Sequence, residues 1–207
     1  MPIHFFERAQ LRASPWKNGG GVTREIACHP PNANMQNFDW RISIAHIARD
    51  GDFSVFAGVD RVITLLEGGG VHLHSADSSV LHALSTPLQP FAFSGDASVH
   101  GRLLNGDCHD LNVMTRRAVY QAEVRVLRRD ETLLPAPCGW LMAIQGTWQV
   151  QTAHTEADSD TASAQQHALG AQTGLWWHED MLACQCQCID SASDAALLAV
   201  RFTPTPR

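Results

Sequence analysis

The segment Phe38-Asp39-Trp40-Arg41-Ile42-Ser43-Ile44-Ala45 alternates apolar and other side chains strictly, and that period of two leaves little choice of local structure. Successive side chains of a strand point to opposite faces. Phe38, Trp40, Ile42 and Ile44 therefore share one face, and Asp39, Arg41, Ser43 and Ala45 the other. One face is expected to pack and the other to be free to bind. Elsewhere turn signals recur often and helical periodicity is weak, so the chain reads as a series of short strands.

Val22 to Ala27 alternates in the same way. Asp50-Gly51 offers the two-residue turn of a tight hairpin, although a longer loop also fits. Arg61 to Leu66 reads as a strand ending at Glu67-Gly68-Gly69-Gly70, with Val71-His72-Leu73-His74 as its expected hairpin partner. Further short strands are expected around Phe91–Phe93, Val99–Leu104 and Leu111–Met114.

The pattern then repeats. Trp140 to Val150 has the layout of Val62 to His74, placing Gly146 opposite Gly68, 78 residues earlier. Leu175 to Asp180 resembles Phe91 to Asp96, and Ala196 to Phe202 reads as a closing strand. Two halves of roughly eighty residues, rich in short strands and glycine turns, predict an all-β fold of paired sandwiches or jelly-roll barrels of the cupin kind. The Thr152 to Gln166 stretch, rich in Ala, Ser, Thr and Asp, is expected to be an exposed hairpin loop or partly disordered.

Trp16-Lys17-Asn18-Gly19-Gly20-Gly21 sets an aromatic, a cation and an amide before three glycines at the entry to a strand. Glycine runs let backbone N–H groups turn toward an anion. The same run serves equally as a bulge or hairpin entry. Neither a Gly-x-x-x-x-Gly-Lys-Ser/Thr loop nor a Gly-x-Gly-x-x-Gly motif opening a helix occurs, so a nucleotide is not expected.

The 207 residues are 44% hydrophobic, ample for a core, and the net charge is −6. That balance gives no long-range attraction to nucleic acid or anionic membrane. No apolar run approaches the ~20 residues that span a bilayer, and the N-terminus lacks a signal-peptide core, so a cytoplasmic location is expected. The six cysteines are expected to be reduced thiols.

The residues also resemble a known family, the HutD/Ves family of bacterial cupin-like proteins. The resemblance is carried by Trp16 to Ile26, Phe38 to Ala45, Asp50-Gly51-Asp52-Phe53-Ser54-Val55-Phe56-Ala57-Gly58-Val59-Asp60-Arg61, Pro90 to Gly95 and Asp110-Leu111-Asn112-Val113-Met114. It thins after Arg117. It implies a compact bicupin, with one jelly-roll-like barrel over residues 1–117 holding the ligand site and a second over 118–207, strand exchange between the halves being allowed. It also implies a ligand-binding, regulatory role linked to histidine utilisation or stress, without a settled activity. The weakly matched second half is a candidate interface, and a homodimer one expected assembly.

Arg41 and Arg61 lie in matching motifs, and a guanidinium fork binds a carboxylate through two parallel hydrogen bonds. Ser43 shares the Arg41 face, Asn18 offers a donor and an acceptor, and Trp16 a flat apolar wall. The expected ligand-binding set is Trp16, Lys17, Asn18, Gly19, Gly20, Thr23, Arg41, Ser43 and Arg61. It would take a small carboxylate such as urocanate or an N-formyl or formimino derivative of glutamate, without a cofactor. Ion pairs between Asp60 and Arg41, or Asp39 and Arg61, are the structural alternative, and Glu25 is expected to be solvated or ion-paired.

The competing functional expectation is a cupin enzyme holding a divalent transition metal on His72 and His74, which share a strand face. The glutamate expected just downstream is missing, the sequence reading Ser75-Ala76-Asp77-Ser78-Ser79, and the family pattern has no His-x-His here. Cys184, Cys186 and Cys188 share one face roughly 6.5 to 7 Å apart, which suits buried apolar positions better than a disulfide or a metal.

Overall fold

The computed structural model describes residues 3–154, 164–190 and 194–206. Its strands are β1 (His4–Glu7), β2 (Ala13–Pro15), β3 (Gly21–His29), β4 (Trp40–Ile47), β5 (Gly51–Asp52), β6 (Val59–Gly68) and β7 (Val71–Ser75). They continue as β8 (Leu81–Leu84), β9 (Pro90–Ser94), β10 (Val99–Leu103), β11 (Cys108–Arg116), β12 (Tyr120–Leu127) and β13 (Glu131–Ala136). The remainder are β14 (Cys138–Gln145), β15 (Trp148–His154), β16 (Gln165–Leu169), β17 (Thr173–Trp177), β18 (Leu182–Cys188) and β19 (Ala196–Pro204). The fold is all-β, with one 3₁₀ turn at Arg8–Gln10 among the described residues. No helix among them is long and apolar enough to cross a membrane. Most of the Thr152 to Gln166 stretch lies outside the described residues.

The chain divides into two compact units, Leu11–Gln121 with Pro204–Arg207, and residues up to Gln10 with Ala122–Thr203. The boundary expected at 117/118 falls at 121/122, and β1 belongs to the second unit.

The first unit holds a six-stranded sheet ordered β2-β3-β4-β11-β6-β9 and a four-stranded sheet ordered β5-β10-β7-β8. Ile47, Ile63, Leu65, Val71, Leu73, Phe93 and Cys108 form an apolar cluster drawn from both sheets. Each fully buried Ile or Leu in it contributes roughly 1.5–3 kcal/mol. The second unit repeats the plan, with a five-stranded sheet β1-β17-β14-β19-β12 and a four-stranded sheet β13-β18-β15-β16. Trp148, Trp177, Leu141, Leu175 and Leu197 anchor its core.

The alternation of β4 is realised. Trp40, Ile42 and Ile44 are fully buried on one face, while Arg41 and Ser43 lie buried on the other. In β3 a bulge between Glu25 and Ala27 breaks the expected alternation and leaves Ala27 buried.

Two expected hairpins do not form. Val71–Ser75 pairs with β10 and β8, whereas the strand before it pairs with β11 and β9 in the other sheet. The glycine run instead carries the chain between sheets. Gly68 and Gly70 take φ of 96° and 82°, and a Cβ on Gly69 would sit 1.9 Å from the carbonyl oxygen of Asn105. Gly146, at φ 78°, likewise separates β14 from β15, which belong to different sheets. The repeat in the sequence is therefore a repeated crossing. Asp50-Gly51 is no hairpin tip either: Gly51 pairs with Gly101 in the smaller sheet, and Asp50 Oδ1 accepts a hydrogen bond from the Leu103 amide at 2.8 Å.

Candidate ligand cavity

Pairing register brings the polar side chains of the first unit together. Met114 of β11 stands opposite Arg41 of β4 on one side and Arg61 of β6 on the other. One pair further along, Asn112 stands beside Ser43, and the next position on that face, Asp110, lies between Ala45 and Leu65. With strands ~4.8 Å apart, the two arginine backbones are roughly 10 Å from each other.

These residues line a cavity of about 520 Å³, which is walled by Trp16, Lys17, Asn18 and Thr23 on one side and by Phe53 and Phe56 on another. Of the expected binding residues, Trp16, Lys17, Asn18, Thr23, Arg41, Ser43 and Arg61 line it. Gly19 and Gly20 do not. Their amides are used inside the loop: Gly19 donates to the Trp16 carbonyl at 3.0 Å, and Gly20 to Asn18 Oδ1 at 2.9 Å. The glycine run thus closes a turn that holds Trp16 and Asn18 at the cavity. Trp16 Nε1 donates to Thr23 Oγ1 at 2.7 Å, which fixes the indole across β3.

The two arginines differ. Arg41 Nε donates to Glu25 Oε2 at 2.6 Å, and Nη1 to Ser43 Oγ at 3.0 Å, so Arg41 already has a carboxylate. The pairings Asp60–Arg41 and Asp39–Arg61 do not form: Asp60 is bonded by Arg117 at 2.8 Å. Arg61, 4% exposed, is surrounded by Phe53, Phe56 and Phe93, with ring centroids 5.3, 5.8 and 5.0 Å from its guanidinium carbon. Its hydrogen bonds are long, 3.4 Å to both Asn112 Oδ1 and the Ser54 carbonyl. Burial lowers the Arg61 guanidinium to about 10, with Asp110 opposing and Arg41 reinforcing, so it stays cationic at neutral pH.

Asp110 is not among the expected binding residues. It is 1% exposed, and neither carboxyl oxygen has a hydrogen-bond partner. Burial pushes its carboxyl up to about 7, against the pull of Arg61. The sequence does carry a signal for it, because alternation along Asp110–Met114 puts Asp110, Asn112 and Met114 on one strand face. Met35, Asp52, Phe53, Ser54 and Phe56 also line the cavity, outside the expected set.

His72 and His74 share a face of β7, with ring centroids 5.9 Å apart. That face is opposite Val71 and Leu73, which enter the apolar cluster. The pair therefore turns away from the cavity-bearing interior. Among the described residues it belongs to no group of three or more ligand atoms within 4.8 Å of one another. His100, next to His74, is engaged by Asp52 at 2.7 Å. In the second unit, Cys184 and Cys186 are buried in the core, and burial pushes the Cys186 thiol up to about 12. None of the six cysteines is in a disulfide.

Two-sheet units of this kind, one enclosing a polar cavity above an apolar floor, define a cupin-like β protein. The chain belongs to the HutD family, whose profile matches residues 8–195. It is 44% identical over 149 residues to Protein Ves of Escherichia fergusonii, covering 72% of this chain and 76% of that protein. A conserved protein of unknown function from Pseudomonas aeruginosa PAO1 has a similar structure, with a TM-score of 0.81 and 27% identity over 99% of this chain and all of that one. HutD from Pseudomonas fluorescens SBW25 superposes with a TM-score of 0.78 and 27% identity, again over 99% of this chain and 100% of that chain. Oxalate decarboxylase from Lactobacillus farciminis, at 9% identity and a TM-score of 0.65 over 98% and 86% of the two chains, shares the fold.

Proposed function

We propose that this chain is a bicupin that binds a small carboxylate in the cavity of its first unit, in a regulatory role tied to histidine utilisation or stress. The observation that carries this reading is Arg61: a buried cation lining the cavity that hydrogen-bonds no carboxylate among the described residues, with only the raised, partly protonated Asp110 nearby. An ionised group held out of water is costly unless paired, by several kcal/mol, and an entering carboxylate supplies the missing partner. Arg41 contributes its remaining donors from the other side, and Trp16 and Phe53 offer flat faces to an unsaturated or planar ligand. The related HutD of Pseudomonas fluorescens was solved in a formate condition, and formate is the smallest carboxylate.

Urocanate and N-formyl- or formiminoglutamate fit this chemistry. Calorimetric titration of chelator-treated protein with urocanate and N-formylglutamate tests it. Saturable binding at about 1 mM or tighter, near −4 kcal/mol, is the expected result. Absence of heat with both ligands overturns the reading.

A further inference from the structure

Asp110 is left without a function by carboxylate binding alone. A buried carboxyl with both oxygens unbonded is a costly group that an apolar residue such as Val at the same position would avoid. It lies in the cavity wall two residues beyond Asn112, on the side of the apolar floor formed by Leu65 and Cys108. The guanidinium of Arg41 reaches Ser43, and that of Arg61 approaches Asn112, so both cationic heads lie on the arginine side of Asp110 along β11. The cavity thus has two poles, a cationic one and a carboxyl one. About two residues of strand, roughly 6.6 Å, separate Asn112 from Asp110.

We propose that the cavity takes a small carboxylate that also carries an N–H donor about one ring or short chain away, and that this N–H is received by Asp110. The assignment rests on the carboxylate reading above and narrows its ligand class to acids bearing an imidazole, amidine or similar nitrogen donor. A carboxylate whose far end offers only acceptors leaves the Asp110 oxygens either unpaired or confined to the protonated form. Discrimination follows from that mismatch.

The charged and titratable groups around Asp110 are few. Arg61 acts on it from β6, while Arg41, on the same cavity wall four residues along β4 from the partner of Asp110, is already paired with Glu25 of β3. Cys108 precedes it on β11, and its thiol is pushed up to about 12, so it stays neutral. Lys17 and Asp52 also line the cavity, Asp52 being engaged by His100. At pH 7 the Asp110 carboxyl is partly protonated, and an N–H donor selects its ionised form. The displaced proton passes to the buffer.

Urocanate and 3-(2-furyl)acrylate make the test, since the second keeps the acid and the planar ring but has an ether oxygen where the first has N–H. Both are titrated into the whole protein at pH 7, in MOPS and in Tris, whose differing ionisation heats report protons released. Urocanate is expected to bind at least about tenfold tighter and to release a fraction of a proton. In Asp110→Asn, which keeps the shape but cannot ionise, the release disappears. Equal affinities of the two acids for the wild-type protein, with no proton release, overturn the assignment of Asp110 and leave the carboxylate reading standing. Failure of both acids to bind overturns the two together.

Discussion

At the scale of single residues, Arg41, Arg61 and Asp110 carry opposite obligations. Arg41 has Glu25 and Ser43, so its loss removes ligand donors and also frees a carboxylate that is half exposed and easily solvated. Arg41→Ala is therefore expected to weaken carboxylate binding by more than about tenfold while leaving the protein folded, as circular dichroism and calorimetry together will read. Arg61 hydrogen-bonds no carboxylate among the described residues. Arg61→Lys keeps the charge but gives up the planar fork, and a loss of about tenfold or more in affinity is expected there too. Asp110 affects stability in the reverse direction. Its carboxyl titrates near 3.8 when unfolded and about 7 when folded, so the folded state holds the extra proton between those values. Stability from this group is thus fully present below the unfolded value and is lost as pH rises through about 7. Asp110→Asn should gain roughly 2–5 kcal/mol over the wild type at pH 8 relative to pH 4, measured by urea unfolding. An equal difference at both pH values counts against a strained ionised Asp110.

At the scale of elements, the glycine turns decide where strands go. Gly69 approaches the Asn105 carbonyl so closely that no side chain fits. Gly69→Ala is expected to cost roughly 2–4 kcal/mol, read as a shifted denaturation midpoint, because either the crossing or the Asn105 turn must move. Gly106 makes the internal control for that measurement. It has φ 87° but open space around its Cβ position, so its replacement by Ala should cost only about 1–2 kcal/mol, from the left-handed backbone alone. The Trp16–Gly21 loop belongs to the same class. By composition its glycines suit an anion cradle, yet Gly20 serves Asn18 and Gly19 serves the chain turn. The motif acts on the cavity through what it holds in place.

At the scale of the whole molecule, both units bury apolar cores of their own, and no disulfide joins the six cysteines, so apolar burial rather than crosslinking holds each unit together. The cavity belongs to the first unit and opens on the face of its larger sheet that carries Arg41 and Arg61, while β7 lies in the smaller sheet. The double substitution His72→Ala, His74→Ala is accordingly expected to leave urocanate affinity unchanged within about twofold, by calorimetry. Those side chains face away from the interior that holds the cavity. A large loss of affinity on that substitution would return a metal on β7 to consideration.

Strand content, the β4 face bearing Arg41 and Ser43, and the 78-residue offset between Gly68 and Gly146 were all determined by the sequence alone. Period-two alternation is a local property that any extended chain displays. Which strand lies beside which was decided only by tertiary structure. The Gly68–Gly70 run reads as a hairpin tip, because a crossing between sheets uses the same positive-φ glycines as a tight turn. Asp110, Asn112 and Met114 can be assigned to one face, but not to a place between Arg41 and Arg61, because pairing register is set between strands far apart in the chain. That long-range register sets a buried carboxyl and a buried guanidinium on neighbouring strands of one cavity wall, where desolvation gives both groups their chemistry.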